Sequence, residues 1–317
     1  MTASRPSVPT DGAVAAPHRA SRPDQPLTTL RVRSLDLAWG RRTYVMAIVN
    51  ATPDSFSGDG LLARGGSAAE AAADLATAAV AAGADLVDVG GESTRPGAGP
   101  VSADEETARV VPAIAAIRER TDAPISVDTA KAEVARAALD AGADLVNDVW
   151  GLRADPALAV LVAERAVPVV IMHNRAAAGR VALRDRLGGH VVGVDYQDLL
   201  GDVARELLQS VAVARAAGIL DARIILDPGI GFGKTRAQNL ELLDRVDAIR
   251  ALGFPLLVGT SRKSFIGLTL DLPPDDRLEG TAATVAVAIA RGADIVRVHD
   301  VAPMVRVARM VDAIIRR

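Results

Sequence analysis

The chain has 317 residues, half of them apolar, and a formal net charge of −3. That length and composition can bury a large core, which excludes a wholly disordered protein. The near balance of acidic and basic residues argues against nucleic acid or a membrane surface as a partner. No cysteine is present, which excludes a disulfide framework and thiol catalysis and is compatible with a cytoplasmic location.

The first 26 residues differ from the rest of the chain in composition. Five prolines lie there among Ser, Arg, Asp and Ala, a mixture too polar to pack or to form an apolar signal segment. We therefore predict a disordered, mobile N-terminal tail over residues 1–26. No later linker marks a second boundary, so residues 27–317 are predicted to form one domain.

Downstream of the tail, short β-branched runs alternate with longer segments of helical period, which is typical of repeated β-strand and α-helix units. The predicted strands are 44–49, 85–89, 124–127, 144–146, 167–171, 223–226, 255–258 and 294–298. The predicted helices include 68–82, 103–119, 131–141, 196–217, 236–252 and 302–315. Eight such units predict an α/β fold of the (β/α)8 TIM-barrel type, with an open doubly wound sheet as the alternative.

Polar residues collect where the predicted strands end. They include Asn50, Glu92, Thr94, Arg95, Asp128, Asn147, His173, Asp227, Ser261, Lys263, Arg297 and His299. A barrel gathers all eight strand ends around one mouth, whereas an open sheet leaves several far from its crevice. Because no such cluster is expected at the opposite strand ends, the distribution favours the barrel and an active site at its C-terminal mouth.

Three of these residues could form one acceptor-rich pocket. Asp128 in "SVDT", Asn147 in "VNDV" and Asp227 in "LDPG" together would suit a planar heterocycle with adjacent N–H donors. The alternative is structural: Asp128 and Asn147 would cap the next helices, and Asp227 would form an Asx turn. Each residue taken singly fits either interpretation, and the occurrence of all three together favours the pocket.

Lys263, Arg297 and His299 would give the mouth positive charge for a phosphate-bearing substrate. The alternatives are ordinary surface cations or, for Lys263, Schiff-base formation as in class I aldolases. The turn "TSRKS" enters a predicted helix, which favours anion binding over a Schiff base and recommends Ser264 for a carboxylate. We predict that His173 packs in the core or supports a neighbouring polar group, and that it is not a ligand.

Two long loops, "NATPDSF" and "GGESTRPGAG", have compositions that suit lids over the mouth. A third connection, residues 174–194, receives no role. No metal-binding motif such as HExxH is present, which argues against a caged transition metal, whereas Mg²⁺ carried on substrate phosphates needs only one or two protein oxygens. The run "GIGFGK" has the wrong spacing for either nucleotide-binding glycine loop.

With these motifs in place, the chain resembles the dihydropteroate synthase family, the sulfonamide targets of folate biosynthesis. The resemblance is carried by "IVNATPDSFS", "DVGGESTRPGA", "ISVDT", "NDVWG", "DPGIGFGKT", "VGTSRKSFIG" and "RVHDV", in family order and each at a strand end. It implies a transferase that joins 4-aminobenzoate to (7,8-dihydropterin-6-yl)methyl diphosphate with Mg²⁺, giving 7,8-dihydropteroate and pyrophosphate. It also implies small-molecule substrates and a homodimer, with the last helices at its interface.

The resemblance assigns a group of residues to each part of the reaction. It places pterin binding on Asp128, Asn147, Asp227 and Lys263. It places the diphosphate on Thr94, Arg297 and His299, the aminobenzoate on Arg95, Phe232, Ser261 and Ser264, and the magnesium ion on Asn50. Two motifs depart from the family: "SFSGDGL" replaces the frequent Ser-Asp-Gly-Gly, which leaves the register of Asp59 open, and the frequent Met-His-Met here ends in Asn174.

Two other functions compete with this one. A methyltetrahydrofolate-dependent methyltransferase shares an Asp/Asn pterin pocket, but it would not need "GGESTRPGA" or "TSRKS". A catalytically silent paralogue would keep the fold with eroded lid and Ser-Arg-Lys motifs, whereas this chain retains both. The motifs therefore favour the synthase.

Overall fold

The computed structural model describes residues 28–51, 67–93, 99–176, 180–184, 187–192 and 194–316. The predicted tail, residues 1–26, lies outside this part of the chain. The strands are β1 (Leu30–Val32), β2 (Leu35–Leu37), β3 (Tyr44–Asn50), β4 (Leu86–Gly90), β5 (Ile125–Asp128), β6 (Leu145–Asp148), β7 (Val169–Met172), β8 (Arg180–Arg184), β9 (Gly188–Val192), β10 (Ile224–Asp227), β11 (Leu257–Val258) and β12 (Ile295–Val298). The helices are α1 (Ala68–Ala81), α2 (Ala103–Arg120), α3 (Ala132–Asp140), α4 (Pro156–Arg165), α5 (Leu199–Ala216), α6 (Arg236–Asp244), α7 (Asp247–Arg250), α8 (Ser264–Leu270), α9 (Leu278–Ala290) and α10 (Val301–Ile315).

Eight parallel strands form the barrel. Their order is β10, β7, β6, β5, β4, β3, β12, β11. A parallel bridge between Leu226 of β10 and Leu256, next to β11, brings the two edges of this sheet together. The predicted barrel is confirmed, and each predicted strand lies within about two residues of an observed one, the usual scatter of element boundaries.

Side-chain caps fix where several helices begin. Ser67 accepts a hydrogen bond from the Glu70 amide at the start of α1, and Ser102 does the same for Glu105 in α2. The prediction for 236–252 was wrong in one respect, because Arg245 ends α6 and a separate short helix, α7, follows.

One apolar cluster fills the barrel and closes its N-terminal end. Met46, Leu86, Leu145, Val170, Ile225, Leu257 and Ile295 come from seven barrel strands, and Leu30, Val32, Leu37 and Trp39 come from β1–β2 and the residues after it. The sequence did not predict this hairpin, nor the second hairpin formed by β8 and β9. The first hairpin leaves the C-terminal end as the open mouth.

The opposite strand ends carry a polar cluster of their own, so the expectation that they lack one was wrong. An aspartate precedes each of three strands: Asp85, Asp144 and Asp294. Each accepts a backbone N–H of a neighbouring strand at 2.9–3.0 Å, from Val45, Ile125 and Leu256 in turn. Each also forms an ion pair with an arginine, which is Arg42, Arg118 and Arg250 in turn. These aspartates, which end the similar segments 82–85, 141–144 and 291–294, therefore hold adjacent strands together. Their role is structural.

None of the described helices is both long and apolar enough to cross a membrane.

Candidate functional site

The C-terminal mouth brings together residues that are far apart in the chain. Asp128 ends β5 and is level with Asn147 of β6, while Asp227 ends β10. Arg297 lies in β12, on the other side of β4 and β3. Parallel strands end at the same side of a barrel, so these four side chains surround one pocket floor.

Arg297 is the centre of this floor. Its Nε donates to Asp88 Oδ2 at 2.5 Å, and its Nη2 donates to Asp128 Oδ2 at 2.7 Å. Asn147 Nδ2 also donates to Asp88 Oδ2, at 3.1 Å. Arg297, predicted for the diphosphate, therefore lies between two carboxylates on the side predicted for the pterin.

Asp88 was not among the predicted site residues. It lies inside the buried run of β4, where every residue is buried. The sequence signal that could have indicated Asp88 is a charged residue within an otherwise apolar strand. A buried carboxylate requires hydrogen-bond partners, but the sequence does not show which residues these are.

Burial raises the pKa of Asp128 to about 7, with Arg297 opposing the rise and Asp88 adding to it. Burial also raises the pKa of Asp227, and the nearby Lys263 ammonium opposes that rise. Both carboxyl groups therefore hold protons more tightly than ordinary aspartates. Such displaced pKa values, set by desolvation and specific charges in a cleft, are typical of functional sites.

The structural alternative for the three acceptors is correct for only one of them. Asp227 Oδ1 accepts the Gly229 N–H at 2.7 Å, which is an Asx turn. The helix after β5 is capped at Lys131 without a side-chain hydrogen bond, and the helix after β6 is capped by Asp155. Asp128 and Asn147 are therefore not helix caps and instead face the other polar groups of the mouth.

Lys263 and Phe232 lie against each other. Lys263 Nζ is 4.7 Å from the centre of the Phe232 ring and donates to the Ile230 carbonyl. Burial lowers the pKa of Lys263 to about 8, while Asp227 raises it. A cation over an aromatic face is favourable when it is removed from water, so this contact fixes the lysine at the edge of the pocket.

The "TSRKS" turn lies beside β12. Ser261 Oγ is 3.0 Å from His299 Nδ1 and accepts the His299 backbone N–H at 3.2 Å. Ser264 begins α8, directly after Lys263. Arg277, which is buried, donates to the Arg262 carbonyl at 2.8 Å and so fixes the backbone of this turn. The sequence analysis did not identify Arg277.

His173 is a packed histidine, as predicted. Its Nδ1 is 2.9 Å from Nζ of the buried Lys234, and burial lowers the pKa of His173 to about 2. Lys234 also donates to the carbonyls of Gly229 and Phe232, so it fixes the loop that carries Phe232. Gly229 has φ +69°, and a Cβ there would lie 1.8 Å from the His173 carbonyl oxygen, which requires glycine.

The fold agrees with the comparisons to known proteins. Residues 46–299 match the family described as pterin binding enzyme. The dihydropteroate synthase of Clostridium beijerinckii is 45% identical over 289 residues, covering 91% of this chain and 100% of the relative. The chain belongs to the dihydropteroate synthase family.

Solved structures of this family match the same region. One is dihydropteroate synthase from Clostridium difficile in the presence of pteroic acid, with 44% identity, a TM-score of 0.78, and coverage of 88% of this chain and 99% of that one. Another is the Xanthomonas albilineans enzyme with 4-aminobenzoic acid, with 41% identity, a TM-score of 0.80, and coverage of 90% and 98%. Dihydropteroate synthases therefore share this chain's barrel over nearly its full described length.

Two predicted site positions, Thr94 and Arg95, lie outside the described residues, as does Asp59 of the first predicted lid. Asn50 ends β3 at the mouth and is half-buried. Within the described ranges, no three or more His, Cys, Asp or Glu side chains form a group that could hold a metal. A single amide oxygen at the mouth fits Mg²⁺ that keeps most of its water and rides on a phosphate, since this ion often takes one or two protein ligands.

Proposed function

We propose that the mouth binds the dihydropterin ring through Asp128, Asn147, Asp227 and Lys263. The chain is a transferase that condenses 4-aminobenzoate with (7,8-dihydropterin-6-yl)methyl diphosphate to give 7,8-dihydropteroate and pyrophosphate. One observation carries the ring assignment: carboxylates and an amide meet on one floor, where the donors of Arg297, Asn147 and Gly229 leave acceptor positions unused. A pterin edge supplies the adjacent N–H donors that such acceptors need.

Asp227 is the group that accepts hydrogen bonds from the pterin's 2-amino group and N3–H. Gly229 occupies one position on Oδ1, and a carboxylate has about four acceptor positions in all. The Asx turn therefore orients the carboxylate and leaves acceptor capacity for the ring. Lys263, which lies against the Phe232 ring, is close enough to Asp227 to act on its charge.

The reaction needs no protein nucleophile. Departure of diphosphate from the methylene leaves a cation that is delocalised into the dihydropterin ring, so the site has to orient the ring and the arylamine and stabilise the leaving group. Thr94, Arg297 and His299 are assigned to the diphosphate. Ser261 orients the imidazole of His299 through the 3.0 Å contact with Nδ1.

Asn50 would hold Mg²⁺, whose chemistry when bound is to neutralise charge on the diphosphate. Arg95, Phe232, Ser261 and Ser264 are assigned to the aminobenzoate. The buried Arg277 supports this half by fixing the turn that leads to Ser264. Ser261 would then border both substrates.

The reaction is tested by pyrophosphate release from the purified full chain. We expect release only when the pterin diphosphate, 4-aminobenzoate and Mg²⁺ are all present, with dihydropteroate formed in equal amount. Pyrophosphate release that does not depend on 4-aminobenzoate would instead indicate hydrolysis. Methyl transfer from methyltetrahydrofolate to a corrinoid would assign the chain to the other pterin-binding class.

The two predicted lids extend over residues 52–66 and 92–100, most of which lie outside the described residues. Substrate binding is expected to be ordered, because the bound diphosphate would complete these lids. 4-Aminobenzoate should bind weakly to the free protein and tightly in the presence of pyrophosphate, Mg²⁺ and a dihydropterin. Arg95→Ala should lower turnover more than pterin affinity. Equilibrium titration checks this, and equal aminobenzoate affinity with and without pyrophosphate and Mg²⁺ would refute the lid hypothesis alone.

A homodimer through the last helices is part of the proposal. Val287 of α9 and Met310, Ile314 and Ile315 of α10 are apolar and exposed, Met310 by 62%, which supports burial against a second copy. Light scattering should show a dimer that Met310→Glu converts to monomer. The matched control is Leu220→Glu, at a 63% exposed site next to a different helix. The cytoplasmic location stays a prediction.

A further inference from the structure

Asp88 lies beneath the proposed pterin pocket. It is fully buried, and it reaches Asn147 two strands away in one direction and Arg297 two strands away in the other. Contacts that skip a strand on both sides pass through the barrel interior. Leu86, two residues earlier on β4, belongs to the apolar interior cluster, so the Asp88 carboxylate is at the boundary between that cluster and the polar floor.

The two Asp88 oxygens differ in their contacts. Oδ2 accepts from Arg297 Nε and from Asn147 Nδ2, whereas Oδ1 has no hydrogen-bond partner among the described residues. A buried carboxylate without full hydrogen bonding is costly to the fold. Its two existing partners are both residues already assigned to substrate.

We propose that Asp88 is a positioning residue for this reaction, which sets the orientation of both the Asn147 amide and the Arg297 guanidinium beneath the pterin diphosphate. This inference rests on the proposed function. It assigns Asp88 no contact with the reacting atoms.

The effect on Asn147 follows from donor and acceptor chemistry. An ionised carboxylate only accepts hydrogen bonds, so the amide NH₂ of Asn147 turns towards Asp88 and its Oδ1 points away. Asn147 therefore presents an acceptor to the ring. A neutral amide at position 88 would accept either orientation of Asn147 and would remove this selection.

The effect on Arg297 depends on Asp128. Arg297 is held by Asp88 through Nε and by Asp128 through Nη2. When Asp128 turns its oxygens to the pterin, its hold on Arg297 weakens, and Asp88 keeps the guanidinium at the floor. Asp88 thus lets Asp128 exchange partners without displacing the cation assigned to the diphosphate.

Asp88→Asn tests this proposal, because it keeps the shape of the side chain and removes its charge. We expect KM for the pterin diphosphate to rise and kcat to fall, with kcat/KM lowered about 10- to 100-fold, as one or two charge-assisted hydrogen bonds would give. KM for 4-aminobenzoate at saturating pterin diphosphate should change less than about threefold. Titration of the folded variant with 6-hydroxymethyl-7,8-dihydropterin separates ring binding from diphosphate binding.

Asp294→Asn is the matched control, since Asp294 is 1% exposed and lies at the opposite end of the barrel. It should lower thermal stability and leave pterin affinity unchanged. If Asp88→Asn behaves in the same way, with wild-type pterin affinity in the folded protein, the positioning role is overturned.

A double-mutant cycle gives a readout that a purely structural role would not change. If Asp88 acts through Asn147, Asp88→Asn should weaken binding of the ring much less in the Asn147→Ala background than in the wild type. Additive effects would overturn that route. Turnover of the wild-type protein is measured in the same series. If the wild type shows no turnover that depends on both substrates, that result counts against the proposed function and not against the role of Asp88.

Discussion

The two ends of the barrel use aspartate in opposite ways. At the N-terminal end, Asp144 accepts the Ile125 N–H at 2.9 Å and pairs with Arg118. Towards the C-terminal end, one oxygen of Asp88 has no hydrogen-bond partner among the described residues. At the end itself, Asp227 accepts the Gly229 N–H through Oδ1, a contact that only forms a local turn. The first end satisfies its carboxylates, whereas the second leaves acceptor capacity unused.

This difference predicts that the carboxylates of one end contribute to stability and those of the other end to ligand binding. A buried carboxylate that is paired and hydrogen-bonded contributes to holding strands together, and removing it should be felt by the fold. A buried carboxylate with unused acceptor positions costs the fold something and is available to a ligand. Mutations at the two ends should therefore affect different measurements.

The largest effect is expected for Asp227→Asn. It replaces an acceptor-only group by an amide that must present an NH₂ to a donor, so pterin diphosphate should bind about 1.5–3 kcal/mol more weakly, the scale of a charge-assisted hydrogen bond. The fold should remain intact. Titration calorimetry checks it, with Asp221→Asn as control because that carboxylate is paired with Arg215 on the surface. Unchanged affinity would remove Asp227 from the pocket.

Asp144→Ala should show the reverse behaviour. It removes the acceptor of the Ile125 N–H and the partner of Arg118, so the free energy of unfolding should fall by about 1–3 kcal/mol. Pterin affinity of the folded protein should be unchanged. Denaturant unfolding and the same calorimetric titration check both parts, and a weaker pterin affinity without loss of stability would break the contrast between the two ends.

The smallest effect is the pH dependence of pterin affinity. Burial places the pKa of Asp128 at about 7, so below that pH the proton occupies the acceptor and affinity should fall, by at most about tenfold per pH unit. Burial places the pKa of Lys263 at about 8, so above that pH its charge is lost and affinity should fall again.

Affinity for the neutral 6-hydroxymethyl-7,8-dihydropterin should therefore be greatest between pH about 7 and about 8. Asp128→Asn should flatten only the acidic side of this profile, and Lys263→Met only the basic side. A profile that keeps its acidic side in Asp128→Asn would show that another group controls it.

The sequence by itself determined the barrel and the composition of its mouth. Eight β-branched runs alternating with helical segments were enough, because the period of apolar residues is a local property. The positions of Asp128, Asn147 and Asp227 at strand ends, and of Lys263 in the turn after β11, were likewise readable from the order of strands and motifs. Family membership followed from the same motifs, which lie at fixed places along the chain.

Only the tertiary structure decided which polar groups contact each other and how far each is removed from water. Arg297 and Asp88 are 209 residues apart, and nothing local to either indicates the other. The burial of Lys234 and the closure of the barrel by β1–β2 also depend on distant segments. Hydrogen-bond partners and desolvation arise from packing across the barrel, so the pKa shifts and the contacts of Asp88 could be read only once the strands were placed.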